Sequence, residues 1–281
     1  MTEFDYTAPV SDLLTLGDCR DMRVWPNYLA RGIGPEHIPD LILMVEDDEL
    51  NGAGSDSLEV WAPAHAWRAL GQLRAEAAVE PLTRLLYRID EFHDDWVGEE
   101  VPDVFGMIGS SAIPALTDYL MEPRHGLWAR TASAHGLAEI GKRHPEARDD
   151  CIAALTKVLE GFADHDPTLN GFVISYLVDL KGIEAAPVME RAFAADLVDI
   201  SILGDWEDAQ IELGLLAGRQ TPRPQYIWVR DAPGSSSQQP SPSTTGQQLG
   251  QQRQAERRRK VKRKVKRKRQ KKTRKKQRKR K

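Results

Sequence analysis

Seven histidines are the side chains in this sequence that could bind a metal ion or transfer a proton. His135 and Glu139 are four residues apart, a spacing that places both on one face of a helix, as a metal site would require. His93 is followed by two aspartates and His165 by one. A metal site is one interpretation of these pairs, and histidines that are exposed or internally hydrogen-bonded are the other. We favour the second, and we predict no metal and no cofactor.

Nucleophilic catalysis has little support in the sequence. The chain has no G-x-S-x-G elbow, no Walker-type phosphate loop and no G-x-G-x-x-G turn. The two cysteines, Cys19 and Cys151, form no C-x-x-C pair and have no metal-ligand spacing. We interpret both as small buried hydrophobic residues of a reduced chain, and we predict no catalytic residue.

Carboxylates cluster at three places, close to tryptophans or to the boundaries between predicted helices. Carboxylates in the first turns of stacked helices are favoured by the positive end of the helix dipole, so helix capping is one interpretation. The other is an acidic and aromatic groove for a basic peptide or protein. The candidate partner-binding residues are then Glu46, Asp47, Asp48, Glu49, Asp94, Asp95, Trp96, Glu99, Glu100, Asp205 and Trp206.

The end of the chain is strongly basic. Residues 253–281 contain 21 Lys or Arg and one acid, a net charge of +20, whereas residues 1–230 contain 18 basic and 40 acidic residues, a net charge of −22. The whole-chain value of −3 therefore describes neither part. We predict that the tail binds RNA, a ribosome or DNA through phosphates, in a salt-sensitive way. The candidate nucleic-acid-binding residues are Arg257, Arg258, Arg259, Lys260, Lys262, Arg263, Lys264, Lys266, Arg267, Lys268, Arg269, Lys271, Lys272, Arg274, Lys275 and Lys276.

Two alternatives for the tail stay open. One is an anionic membrane surface or an acidic protein, although no acyl site or amphipathic face supports membrane docking. The other is the acidic body of the same chain. The 21 residues 232–252 are almost wholly Ser, Gln, Pro, Gly and Thr, and as a flexible linker they would span about 25 Å. Such a tether would hold the tail near the body at about millimolar effective concentration.

The elements that carry these residues follow a repeat. Five apolar anchors, each at the end of a predicted helix, are separated by 40, 35, 32 and 40 residues: Ile33, Leu73, Ile108, Ile140 and Leu180. In four units a proline follows the turn, at Pro39, Pro81, Pro114 and Pro187. Because proline is favoured in the first turn of a helix, this period predicts a two-helix unit of helix A, tight turn and helix B.

A second pattern has the same register. Trp61, Trp96 and Trp128 each lie 12 residues before an anchor. Ten residues after each tryptophan stands a small residue, namely Gly71, Gly106 and Ala138. We predict that successive A helices approach closely at one end and are separated by an indole ring at the other. The aromatic ladder spans three units, since Thr168 occupies the equivalent position in the next.

These units resemble HEAT-like repeats, particularly the short type of the phycobilisome lyases. The strongest resemblance is in AWRALGQLRAEAAVEPLTRLL, residues 66–86, followed by ARTASAHGLAEIG, residues 129–141, and it extends over roughly residues 27–193. It implies an all-α, right-handed α-solenoid of about five helix pairs. Such repeats serve as scaffolds, lyase subunits, hydroxylases and adaptors. A HEAT-repeat hydroxylase would have His-Glu dipeptides, and this sequence has none.

We therefore predict three parts: a HEAT-like α-solenoid in residues 1–230, capped at both ends, a disordered linker in 231–252 and a disordered basic tail in 253–281. The longest apolar run, residues 41–45, is too short to span a bilayer, and the N-terminus lacks the apolar region of a secretory signal. We expect a cytoplasmic location, or a nuclear or nucleolar one in a nucleated cell.

The predicted function is a non-enzymatic adaptor. Its acidic solenoid would bind a protein partner, itself basic, and its tail would bind RNA or another polyanion. The alternative is a HEAT-like lyase subunit or a metal-dependent enzyme with a ligand in the concave face of the solenoid.

Overall fold

A computed structural model describes residues 6–21, 24–54 and 56–224 of the chain. All regular structure in these residues is helical, which confirms the predicted all-α class. The predicted linker and basic tail lie outside the described residues. The α-helices are α1 (Ile38–Glu46), α2 (Asp48–Asn51), α3 (Ala62–Gln72), α4 (Val79–Leu85), α5 (Tyr87–Phe92), α6 (Asp95–Ile108), α7 (Ile113–Met121), α8 (Leu127–Arg143), α9 (Arg148–Leu159), α10 (Pro167–Asp179), α11 (Ala186–Ala194), α12 (Ile200–Leu203) and α13 (Trp206–Glu212).

Four consecutive helix pairs, α3–α4, α6–α7, α8–α9 and α10–α11, repeat the order of a longer helix A and a shorter helix B. Successive A helices contact one another, and so do successive B helices, so the pairs stack in two layers. Helix α1 packs on α3 and α4 as a further B helix, and a short 3-10 helix, Leu29–Arg31, stands in place of its A helix. The predicted solenoid of about five pairs is confirmed, with its first pair shortened.

In every unit the turn between helix A and helix B contains the same element. A three-residue 3-10 helix precedes each B helix: Pro35–His37, Glu76–Ala78, Ser110–Ala112, Pro145–Ala147 and Ile183–Ala185. The predicted prolines then fall in the first turn of the B helix, where a missing N–H leaves no backbone hydrogen bond broken. The position assigned to these prolines is therefore confirmed.

The apolar anchors contribute to one continuous core. Ile33, Ile108, Ile140 and Leu180 are buried, and Leu73 is partly buried against the same cluster. Fully burying an aliphatic side chain of this size stabilises a fold by about 1.5–3 kcal/mol. The periodic anchors thus mark the ends of the A helices, as predicted.

Small residues permit the close approach of the A helices. A Cβ atom at Gly71 would lie 3.1 Å from the Met107 sulfur, and one at Gly106 would lie 2.8 Å from the Glu139 Cβ. At the other end, the Trp61 and Trp96 rings meet edge to face, with their centroids 5.3 Å apart. The predicted arrangement, with close approach at small residues and indole rings at the other end of the A helices, is confirmed for these helices.

Short elements cover both ends of the stack. On the N-terminal side two 3-10 helices, Val10–Thr15 and Cys19–Asp21, precede the first unit, and the first of them packs on α3. On the C-terminal side α12 packs on α10, and α13 packs on α10 and α11. Across the described ranges, no helix is long and apolar enough to span a membrane.

Candidate functional site

The A helices share one outward surface, which we call the A-face. Its residues recur every three or four positions along each helix, so they lie on one side of it. The A-face comprises Trp61, His65, Arg68 and Gln72 at α3, Trp96, Asp103 and Met107 on α6, Trp128, His135 and Glu139 on α8, and Phe172, Tyr176 and Asp179 on α10. Contacts between neighbouring A helices, described below, join these rows into one surface.

On α3 the A-face is covered by the chain that precedes it, residues 6–21 and 24–31, which we call the cap segment. The Arg20 guanidinium lies over the Trp61 ring, 5.1 Å from its centroid, and also pairs with Asp18. Two turns further along the helix, the Trp25 ring lies 5.0 Å from the Arg68 guanidinium. Stacking of arginine on indole therefore fastens the cap segment to α3 at two points.

The Gln72 side chain holds the cap segment by its backbone. Its Nε2 donates to the Pro26 carbonyl at 2.8 Å, and its Oε1 accepts from the Tyr28 N–H at 2.9 Å. One side-chain amide thus satisfies two backbone groups of the cap segment, which has no strand partner in the described chain. The covered part of the A-face thus shows how this surface binds a segment that contains no α-helix.

A buried polar cluster lies beneath the cap segment. The His65 Nε2–H donates to the Gly17 carbonyl at 2.9 Å, and the Tyr28 hydroxyl donates to His65 Nδ1 at 2.7 Å, a tautomer assigned from these partners. Desolvation lowers the pKa of His65 to about 4. Desolvation also raises the pKa of the Cys19 thiol, 3.6 Å from His65 Nε2, to about 12. The pair is therefore neutral and has a structural role.

A buried ion pair lies next to this cluster. The Arg68 Nε donates to Glu100 Oε2 at 2.8 Å, and its Nη2 pairs with Oε1. The Trp67 indole N–H donates to Glu100 Oε2 at 3.0 Å. Glu100, a candidate partner-binding residue in the sequence, is thus directed inward and joins α3 to α6.

The A-face is open on α8 and α10. Trp128 is 48% exposed, and its ring meets Phe172 edge to face with centroids 6.1 Å apart. Phe172 also stacks on Tyr176, and Tyr176 stacks on the His135 ring at 5.2 Å. Phe172 lies one turn beyond the predicted ladder position, Thr168, so aromatic packing continues into the fourth full pair by a shift of register.

Beyond the aromatic row, alternating charges connect three A helices. Arg143 of α8 pairs with Asp103 of α6, and Lys142 of α8 pairs with Asp179 of α10 at 2.8 Å. Glu139 contacts both cations, and His135 Nε2 lies 3.6 Å from Glu139 Oε1. The hydrogen bond from His135, with the nearby cations, lowers the pKa of Glu139 to about 2.

The predicted neighbours His135 and Glu139 do share a face, but their partners are a ring and two cations. Among residues 6–21, 24–54 and 56–224, no three His, Cys, Asp or Glu side chains form a group that could hold a metal ion. Both cysteines are buried and form no disulfide, which confirms their interpretation as buried residues. Desolvation raises the pKa of Cys151 to about 12.

A cavity of about 600 Å³ opens where the cap segment meets the ends of α3, α6 and α8. Its lining mixes aromatic, thioether, amide and cationic groups, including Trp25, Gln72, Arg74, Met107, Arg143 and His144. His144 is fixed by its Nε2, which lies 2.9 Å from the Gly106 carbonyl oxygen. The cavity continues the covered part of the A-face toward the open part and has room for a few side chains.

The comparison with protein families decides the type of repeat. The family model of the PBS lyase HEAT-like repeat matches residues 65–88, which hold most of α3 and all of α4. This helix pair is a HEAT-like repeat. The searches of curated proteins and of solved structures gave no significant match. The HEAT-like repeat carries His65, Arg68 and Gln72, so the matched unit is the one that the cap segment covers.

Three of the candidate partner-binding carboxylates cap helices. Asp47 accepts from two backbone N–H groups at the start of α2, the nearer at 2.9 Å. Asp94 accepts from the Val97 N–H at the start of α6, and Asp205 from the Asp208 N–H at the start of α13. The capping interpretation is confirmed at these positions. A role in partner binding stays a prediction for them.

The other candidates are dispersed. Glu46 pairs with Arg84 at 2.7 Å, Trp96 packs on Trp61, and Trp206 packs on Phe193. Asp205 also pairs with Arg219 at 2.6 Å, and this contact lowers the pKa of Asp205. The exposed candidates near the starts of α2 and α6 are Asp48, Glu49, Asp95 and Glu99. Because α2 and α13 lie at opposite ends of the stack, the three clusters form no single site.

Sequence reasoning missed the cap-segment residues Trp25 and Tyr28, together with their partners on α3, His65, Arg68 and Gln72. The available signal was the segment AHAWRALGQ, where polar side chains occupy positions of helix A that face outward. The candidate nucleic-acid-binding residues of the tail lie outside the described residues.

Proposed function

We propose that this helical-repeat protein is a non-enzymatic adaptor. Its acidic body binds a basic protein partner, and its tail, residues 253–281, binds RNA or another polyanion electrostatically. The observation that carries the proposal is the division of charge, −22 in residues 1–230 against +20 in the tail. We propose a cytoplasmic location, or a nuclear or nucleolar one in a nucleated cell.

Two structural observations support a binding role for the body. HEAT-like repeats form scaffolds that commonly mediate protein interactions. In addition, one A helix, α3, already binds a segment without α-helix, the cap segment. The side chains most suited to nucleophilic chemistry, Cys19 and Cys151, are buried neutral thiols. Stoichiometric iron or zinc in the purified protein would contradict the adaptor and favour the metal-dependent alternative.

The tail is tested by filter binding or anisotropy with a generic single-stranded RNA. Deletion of residues 253–281 should abolish binding, and binding by the full chain should weaken steeply with salt. Circular dichroism and thermal unfolding of the shortened chain control for folding of the body. Binding that survives the deletion would contradict the role of the tail.

The same assay tests whether the tail contacts its own body. If it does, a synthetic peptide of residues 253–281 should bind RNA more tightly at low salt than the full chain, because the acidic body competes for the tail. Equal affinity would count against this contact.

A further inference from the structure

The open A-face begins, as the covered A-face does, with a tryptophan at the start of helix A, and on the covered A-face this ring binds an arginine of the cap segment. We propose that the open A-face docks an extended segment of the partner protein, with one arginine of that segment over the Trp128 ring and beside Asp90. The inference rests on the proposed function and specifies which surface and which side chain the partner uses.

The cap segment provides the internal example. Arg20 is held by two groups, the Trp61 ring at 5.1 Å and the carboxylate of Asp18, whose oxygens lie 2.8 and 2.9 Å from Arg20 Nε. Trp61 stands at the start of helix A in its unit, as Trp128 does in the unit of α8. A ring at the start of helix A, together with a carboxylate that comes from the cap segment itself, is therefore a combination that this fold already uses for a guanidinium.

The same two groups meet at Trp128. The Asp90 carboxylate, from α5, accepts the Trp128 and Ala129 backbone N–H groups at 3.2 and 2.8 Å. A carboxylate has about four lone-pair sites, so two remain for a guanidinium. Gly126 is needed here, because a Cβ atom at this position would collide with the Asp90 side chain. Asp90 is thus held at the backbone of the residue that carries the exposed indole.

The exposure of Trp128 indicates a free ring. Trp61 and Trp96 are half-buried against each other, whereas Trp128 is 48% exposed and is supported from one side by Phe172. An arginine that covers the free side would gain both stacking and a charge-assisted contact with Asp90. Lysine would gain less, because its ammonium group cannot stack as a planar guanidinium does.

Charge favours a basic occupant from another protein. The body carries 40 acidic against 18 basic residues, and further carboxylates, such as Asp95 and Glu99 on α6, lie exposed on the neighbouring A helix.

The test uses the full chain and two labelled 12-residue peptides, one of four Ser-Gly-Arg triplets and one of four Ser-Gly-Lys triplets. Fluorescence anisotropy at low salt measures their affinities. We expect Trp128→Leu to weaken the arginine peptide about fivefold and the lysine peptide less than about twofold. Leu43→Ala, at a 60% exposed position on α1, is the control and should change neither affinity.

Asp90→Asn provides a second variant, which removes the charge and keeps one of the two acceptor oxygens at the start of α8. Because the Trp128 and Ala129 N–H groups bond to different oxygens of Asp90, the melting temperature should fall slightly, while circular dichroism shows a folded chain and the arginine peptide binds about threefold more weakly. If both variants bind the arginine peptide as the unmodified chain does, the docking surface is wrong although the acidic body still binds basic segments.

Two further outcomes have distinct meanings. If the arginine peptide binds only after deletion of residues 253–281, the occupant is the tail of the same chain, and docking of a partner is overturned. If neither peptide binds with or without the tail, the inference fails together with the partner-binding part of the proposed function.

Discussion

The A-faces of α3 and α8 show two solutions for the same surface. On α3 the cap segment buries it, and His65 and Arg68 are almost fully inaccessible. On α8 it is open, and Glu139 forms ion pairs with Lys142 and Arg143 at the surface. Equivalent positions of one repeat thus become core or surface according to what covers them, and the energetic importance of a charge changes with that cover.

The first prediction tests this comparison at the buried ion pair of Arg68 and Glu100. Arg68→Met should destabilise the protein by about 3–5 kcal/mol, because it leaves the Glu100 carboxylate buried without its cation. The corresponding change on the open surface, Arg143→Met, should cost less than about 1 kcal/mol, since water screens its pairs with Asp103 and Glu139. Urea unfolding of both variants measures the difference, and equal losses would contradict the distinction between covered and open parts.

The second prediction uses pH. The folded pKa of His65 is about 4, below its ordinary value of 6.5, so between these values the unfolded chain binds more protons. The stability contributed by neutral His65 is fully present above pH 6.5 and is lost as pH falls toward 4, by roughly 3 kcal/mol. Chemical denaturation at a series of pH values follows this loss.

His65→Gln should make the pH profile much shallower, because glutamine does not titrate; the remaining slope comes from groups such as His125 and His165, whose pKa desolvation also lowers. His93→Asn is the control: His93 is exposed and has a left-handed backbone conformation that asparagine tolerates, so the profile should stay that of the unmodified protein. The Cys19 thiol, with a pKa of about 12, remains neutral throughout this range. A slope as steep after His65→Gln as before it would assign the acid sensitivity to another group.

The third prediction concerns the spacing that both parts of the A-face share. Gly106→Ala should destabilise the protein by about 1–3 kcal/mol, because its Cβ would lie 2.8 Å from the Glu139 Cβ and force α6 away from α8. Gly218→Ala is the control, since no atom lies within 4 Å of a Cβ there. A Gly106→Ala variant as stable as the control would mean that the A helices separate easily.

Local signals in the sequence were sufficient for the repeat. The anchors Ile108, Ile140 and Leu180 and the prolines Pro114 and Pro187 identified the ends of A helices and the starts of B helices, because periodic apolar residues and proline act within a few residues of themselves. The close contact at Gly106 was also predictable, since the same register recurs in three units.

Only the tertiary structure decided which polar residues are inside. Glu100 was grouped with the exposed carboxylates, yet it pairs with Arg68, 32 residues away, and Gln72 holds a backbone 44 to 46 residues away. No local pattern shows such partners, because burial of a charge depends on a counter-charge brought from another part of the chain. The sequence therefore determined the units and their stacking, whereas the covering of one A-face and the exposure of Trp128 depended on the path of the cap segment.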